Sequence, residues 1–185
     1  MENEVCVFLA DGFEEIEGLT VVDLLRRANI SVVTVSVTGQ RSVHGAHKID
    51  VMADMLFEHM DYKDTTMLVL PGGMPGTIHL EEHKGLEHLL NQFYREEKYI
   101  GAICAAPSIL GKRGMLKGKR ATAYPSKEKE LYGAEILHTP VVIDGPIVTS
   151  RGMGTAIAFS LALIGLMVGT EIAEEISSAI VYQEA

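Results

Sequence analysis

The chain has 185 residues, 47% of them apolar and 22% charged, with 18 glycines and 6 prolines. Those proportions exclude a disordered, collagenous or coiled-coil chain. Sixteen Lys and Arg against twenty-five Asp and Glu give a formal net charge of −9, which sets nucleic acid and anionic membranes aside as partners.

Two cysteines are too few to staple a fold, and the chain is long enough to hold a core without disulfides or a structural metal. The opening Met1-Glu2-Asn3-Glu4 lacks the basic flank of a secretion signal, so a cytoplasmic location is expected. Val5 to Ala10 reads as the first strand. Behind it, Ile16, Leu19, Val22, Leu24 and Leu25 keep helical spacing up to Arg26-Arg27, whose charge suits a helix C-terminus. Ser31 to Val37 is a second strand, and residues 40 to 60 carry only short extended pieces. Met67 to Leu70 is a third core strand, closed by Pro71-Gly72-Gly73.

An amphipathic helix is expected over Lys84 to Lys98 and a strand over Tyr99 to Ile103. Short strands at Arg120–Ala123, Ile136–His138, Val141–Ile143 and Ile147–Ser150 surround a charged helical turn, Ser126 to Leu131. Two helices follow, split at Gly169-Thr170. The first of them, Ala156 to Val168, is too short to span a bilayer and reads as buried. Strands alternating with helices predict parallel βαβ units in a single α/β domain over residues 1–185. Lys112, Arg113, Lys117, Lys119 and Arg120 form one basic cluster, read as a solvated loop.

Ligands of such a sheet collect where strands run into helices. Ala102-Ile103-Cys104-Ala105-Ala106-Pro107 has the small flanking residues that a nucleophile needs on a sharp strand-to-helix turn. A helix N-terminus there would favour thiolate, whereas the alternative for Cys104 is a small core hydrophobe. Cys6, inside a strand, reads as buried and inert. The Leu70-Pro71-Gly72-Gly73 turn can present N–H groups to an anion, although a plain tight turn would look the same.

In Glu14-Glu15-Ile16-Glu17, the helix dipole accounts for Glu14 and Glu15, while the phase of Glu17 turns it toward the other loops. Beside a thiolate its pKa should rise. His79-Leu80-Glu81-Glu82-His83 matches an inverted zinc-protease string but lacks a third ligand, so no metal is assigned. The spacing of His44 and His47 leaves their role open.

The segments E-E-I-E at 14–17, L-P-G-G at 70–73, A-I-C-A-A-P at 102–107 and T-S-R-G-M-G-T at 149–155 together resemble the ThiJ/PfpI superfamily over nearly the whole chain. The resemblance is to the branch of the parkinsonism-associated protein deglycase and its bacterial relatives. It implies a flavodoxin-like three-layer sandwich with a mostly parallel sheet, a homodimer, and no cofactor. It also implies Cys104 as the reactive cysteine, Glu17 as its protonated partner, and an anion pocket of N–H groups from Gly73 and Ala105, with Gly72 in the same pocket.

Ala105 stands where the protease-like branch has a histidine, which argues against peptidase and glutamine-amidotransferase chemistry. Tyr124 stands where many deglycase-branch members have a histidine, and it is a candidate pocket residue. A phenol is a poor base at neutral pH, so a proton relay through that position is weakened. The function implied is a glyoxalase or deglycase acting on small α-oxoaldehydes such as methylglyoxal. The alternative is an oxidative-stress sensor or chaperone built on the same cysteine. A thiamine-pathway enzyme rests only on the name ThiJ.

Overall fold

A computed structural model describes residues 4–182. In chain order the elements are β1 (Glu4–Leu9), α1 (Glu15–Arg27), β2 (Ser31–Ser36), β3 (Ser42–His44), β4 (Asp50–Met52), β5 (Met55–Leu56), β6 (Thr65–Leu70), α2 (Gly76–Glu82) and α3 (Lys84–Arg95). They continue with β7 (Tyr99–Ile103), α4 (Pro107–Lys112), β8 (Arg120–Ala121), β9 (Glu135–Ile136), β10 (Val141–Asp144), β11 (Ile147–Ser150), α5 (Ala156–Val168) and α6 (Thr170–Ala179).

Seven strands form one sheet in the order β10-β11-β7-β6-β1-β2-β5, parallel throughout except for β10 on β11. The fold is the α/β flavodoxin-like sandwich. Central strands are buried on both faces, which is why β1 and β6 read as unbroken apolar runs rather than alternating ones. One face packs Phe8, Leu68, Leu70 and Ile100 against α3 and α4, and the other packs Val5, Val7, Val69 and Val148 against α1 and α5.

Chain order and sheet order differ in a way that builds the site. The strands β1, β6, β7 and β11 are neighbours, so the loops after Leu9, Leu70, Ile103 and Ser150 open side by side. The sheet changes direction at β1, with β2 on one side and β6 on the other. That reversal leaves a crevice at the carboxyl ends of the strands.

Two expectations need correction. The strand expected over Arg120–Ala123 stops at Ala121, because the N–H of Thr122 turns to Thr149 Oγ1 and that of Tyr124 to the carbonyl of Cys104. Helix α5 is buried on one side only. Ala156, Phe159, Ser160, Leu163 and Ile164 face inward, whereas Ile157, Leu161, Leu166 and Met167 are partly exposed. Gly101 lets Phe159 reach the sheet, since a Cβ there would lie 3.0 Å from its ring.

The basic cluster is largely paired. Lys112 meets Glu81 and Glu130, Lys119 and Arg120 meet Asp144, and Arg113 donates to the carbonyl of Glu81. Among the described residues no helix is long and apolar enough to cross a membrane.

Candidate active site

Cys104 follows β7 directly and takes φ +64, a left-handed conformation that costs a non-glycine residue roughly 1 kcal/mol or more. Hydrogen bonds on both sides hold it there. Its N–H donates to the carbonyl of Ser150 at 2.9 Å, and its own carbonyl accepts from the N–H of Tyr124 at 2.8 Å. Ala102 and Ala106 are fully buried around the bend, where larger side chains would find no space.

The Gly72-Gly73 turn reaches the cysteine from β6. A Cβ at Gly72 would stand 2.7 Å from both Cys104 Cβ and Glu17 Oε2, so no other residue fits. Gly73 has φ +89, and its N–H faces the cysteine sulfur together with that of Ala105. The N–H of Gly72 is committed elsewhere: it donates to Glu17 Oε2 at 2.8 Å. Gly72 therefore holds the carboxyl in place and does not supply a third donor to the anion pocket.

Glu17 lies in the first turn of α1, only 1% exposed, and hydrogen-bonds the Cys104 thiol. Burial pushes its carboxyl up to about 7, against the downward pull of its hydrogen bonds with Cys104 and Gly72. Burial, then the charge of Glu17, push the Cys104 thiol up to about 12, opposed by the N–H groups of Gly73 and Ala105. The expectation that a helix terminus lowers this thiol is corrected. The six-residue α4 begins only at Pro107, and desolvation with a neighbouring carboxylate outweighs it.

The two groups titrate as a pair, which sheds a first proton near neutrality and keeps the second into the alkaline range. That second proton rests on the Cys104 sulfur, and a thiolate forms under the two N–H donors when it passes to the Glu17 carboxylate.

Glu15 does more than complement the helix dipole. It is 2% exposed and accepts from the His47 N–H at 2.6 Å and pairs with His47 Nδ1 at 2.9 Å. The 44–47 segment is also bound to the loop between β1 and α1, through Ala46 N–H to Phe13, Gly12 N–H to His44 and His44 N–H to Asp11. His47 is thereby placed on Glu15, and His44 on Asp50 at 2.7 Å. Both imidazoles are held above their ordinary range by those carboxylates.

Burial works to raise the Glu15 carboxyl, yet the His47 ring and backbone N–H groups outweigh it and keep it low. Glu14, Glu15 and His47 are the group among the described residues whose ligand atoms could surround a metal ion. The Nδ1 atom needed for that is occupied by Glu15. This strap over the helix start is the feature that sequence reading missed, and its only trace was a buried-phase acid at position 15.

The H-x-x-E-H string has structural roles. His79 Nδ1 bonds the carbonyl of Asp11 at 2.8 Å. His83 Nδ1 accepts the Leu86 N–H at 3.0 Å as the cap of α3, so in the neutral ring the proton sits on Nε2 and no lone pair is left for a metal. Cys6 is fully buried against Thr65, and burial pushes its thiol up to about 12. The Tyr124 side chain is half exposed and lies over Gly152, so this residue joins the site through its backbone and borders it with its ring.

Known proteins share this sequence pattern and this fold. Residues 3–166 match the DJ-1/PfpI family. Protein DJ-1 homolog A of Arabidopsis thaliana is 39% identical over 94% of this chain, and homolog B is 33% identical over 95%. The chain spans only 45% and 40% of the lengths of those two relatives. The solved structure of oxidized Toxoplasma gondii DJ-1 superposes with a TM-score of 0.94 at 33% identity, over 98% of this chain and 100% of that one.

Proposed function

The chain belongs to the DJ-1/PfpI family, and from that premise we propose that it is a cofactor-independent glyoxalase or deglycase. Its substrates are small α-oxoaldehydes such as methylglyoxal, or their early adducts. The observation that carries this reading is the pairing of Cys104 with a buried Glu17 whose pKa lies near neutrality, beside two free N–H groups. A nucleophile, a proton carrier and an oxyanion site within one crevice are what isomerisation of an oxoaldehyde requires.

In this mechanism the Cys104 thiolate adds to the aldehyde carbon, and the new oxyanion rests on the N–H groups of Gly73 and Ala105. Protonated Glu17 neutralises that oxyanion and becomes a carboxylate. It then removes the hydrogen of the former aldehyde carbon and returns the proton to the neighbouring carbon, leaving a lactoyl thioester. Water cleaves the thioester to lactate and frees the thiol. The net reaction adds one water to methylglyoxal and needs no redox partner. Deglycation of an early adduct would use the same attack, with the amine as leaving group.

Purified protein is expected to form lactate from methylglyoxal, with Cys104→Ser as the blank. Lactate no faster than the blank would overturn the enzyme reading. The second reading, a redox sensor or chaperone in which Cys104 becomes a sulfinate bonded by Glu17, is favoured by one observation. Among the described residues no imidazole hydrogen-bonds Cys104, and position 124 is a tyrosine. Peroxide-dependent sulfinate without aldehyde turnover is its signature.

We further infer a cytoplasmic homodimer that engages neither nucleic acid nor membrane. Exposed Ile16, Ile49 and Met52, on the helix start and the β3–β4 hairpin joined by the strap, support a second copy as partner. Light scattering at micromolar concentration is expected to give twice the chain mass.

A further inference from the structure

Three large apolar side chains stand exposed on three segments that adjoin the Cys104 turn in the fold. Met74, 48% exposed, follows Gly73, whose N–H faces the sulfur. Tyr124, 50% exposed, donates its N–H to the Cys104 carbonyl. Met153, 55% exposed, follows Gly152, where a Cβ would lie 3.6 Å from the Tyr124 ring. A single exposed methionine needs no explanation, but three large apolar side chains exposed on segments that meet at one reactive sulfur give its surroundings an apolar character.

The charged groups nearby are already engaged. Arg151 lies 3.4 Å from Glu128, and Glu14 lies 3.4 Å from His47. Methionine adapts its shape to an apolar or aromatic body and makes favourable sulfur–aromatic contacts, and a tyrosine ring offers a flat face to stack on.

We propose that Met74, Tyr124 and Met153 are specificity-determining residues that favour carbonyl substrates bearing an aromatic substituent over methylglyoxal. The proposal rests on the reading of Cys104 as the nucleophile and adds the class of substrate it prefers. Differential burial of an aryl group against an apolar wall is worth about tenfold or more in kcat/KM.

The experiment compares phenylglyoxal with methylglyoxal in the wild-type protein and in the Met74→Gln/Met153→Gln and Tyr124→Ala variants. Because the two aldehydes differ in intrinsic reactivity, the quantity read is the change in their kcat/KM ratio. The ratio is expected to fall about tenfold in the variants. A second arm does not depend on turnover: alkylation of wild-type Cys104 by N-phenyl iodoacetamide and by iodoacetamide, where the S–C bond forms and iodide leaves, each rate divided by that of free cysteine.

The phenyl reagent is expected to be favoured at Cys104 by a similar factor, with Cys104→Ser as background. Preference in alkylation without lactate or mandelate production would remove the enzymatic reading and keep the apolar preference. Turnover with an unchanged ratio, or equal normalised alkylation rates, would overturn that preference and leave the enzymatic reading standing.

Discussion

The backbone N–H of Gly72 donates to Oε2 of Glu17 at 2.8 Å, joining two groups 55 residues apart in the chain. With its second hydrogen bond directed at Cys104, that carboxyl is fixed between a glycine turn and a sulfur. Its position follows from the adjacency of β1 and β6, and its pKa follows from the lack of water around it.

Glu17→Gln keeps an acceptor for Gly72 and a donor for Cys104 but removes the transferable proton. Methylglyoxal turnover is expected to fall on the order of a hundredfold or more. Stability should move in the opposite direction. The folded state raises this carboxyl from 4.5 to about 7, so it holds a proton that the unfolded chain releases, and stability falls as pH rises through that window. The Gln variant escapes the penalty, and denaturant melts should show it more stable than wild type by roughly 3 kcal/mol at pH 8. The difference should shrink toward zero as pH falls to the ordinary carboxylate range. A pH-independent difference would place the raised pKa elsewhere.

The two cysteines should behave oppositely. Cys104→Ser is expected to abolish aldehyde turnover, whereas Cys6→Ser, deep in β1 beside Thr65, should leave it within a few-fold of wild type. Thiol alkylation of the native protein, followed by mass spectrometry, should label Cys104 alone. Equal loss of activity in two folded variants would remove the assignment of Cys104.

Gly72→Ala tests the fit of the crevice. The added Cβ would press on Cys104 Cβ and Glu17 Oε2 at 2.7 Å and on the Ala105 nitrogen at 3.0 Å. Turnover should drop by about a hundredfold, together with a loss of roughly 1–3 kcal/mol in stability. Gly39→Ala is the control. It has a positive φ of +79, which Gly72 lacks, but meets nothing within 4 Å, so its substitution should cost only about 1 kcal/mol and leave turnover alone.

Glu15→Ala tests the strap. Removing the carboxylate releases the His47 N–H and ring, which is expected to lower the denaturation midpoint and to speed amide exchange over residues 44–48. NMR titration should show the His47 ring returning from its raised value toward the ordinary imidazole range, since Glu15 is the main cause of the shift. In the wild-type protein this ion pair is complete below the ordinary imidazole pKa and is lost as pH rises through the raised one. An unmoved His47 titration would assign the shift to Glu14.

Much of this arrangement was legible in the chain. The apolar runs of β1, β6 and β7 mark strands buried on both faces, and Ala102, Ala106 and Pro107 mark a tight turn around Cys104, because those choices are dictated by local sterics and by burial. Tertiary structure alone decided which groups meet. The commitment of Gly72 to Glu17, the seat of His47 on buried Glu15, and the capping role that takes His83 out of any metal string depend on contacts across dozens of residues. The upward pKa of Cys104 belongs to the same class. Local sequence shows a helix start that would lower it, but desolvation and a neighbouring carboxylate are properties of the packed crevice, and they outweigh it.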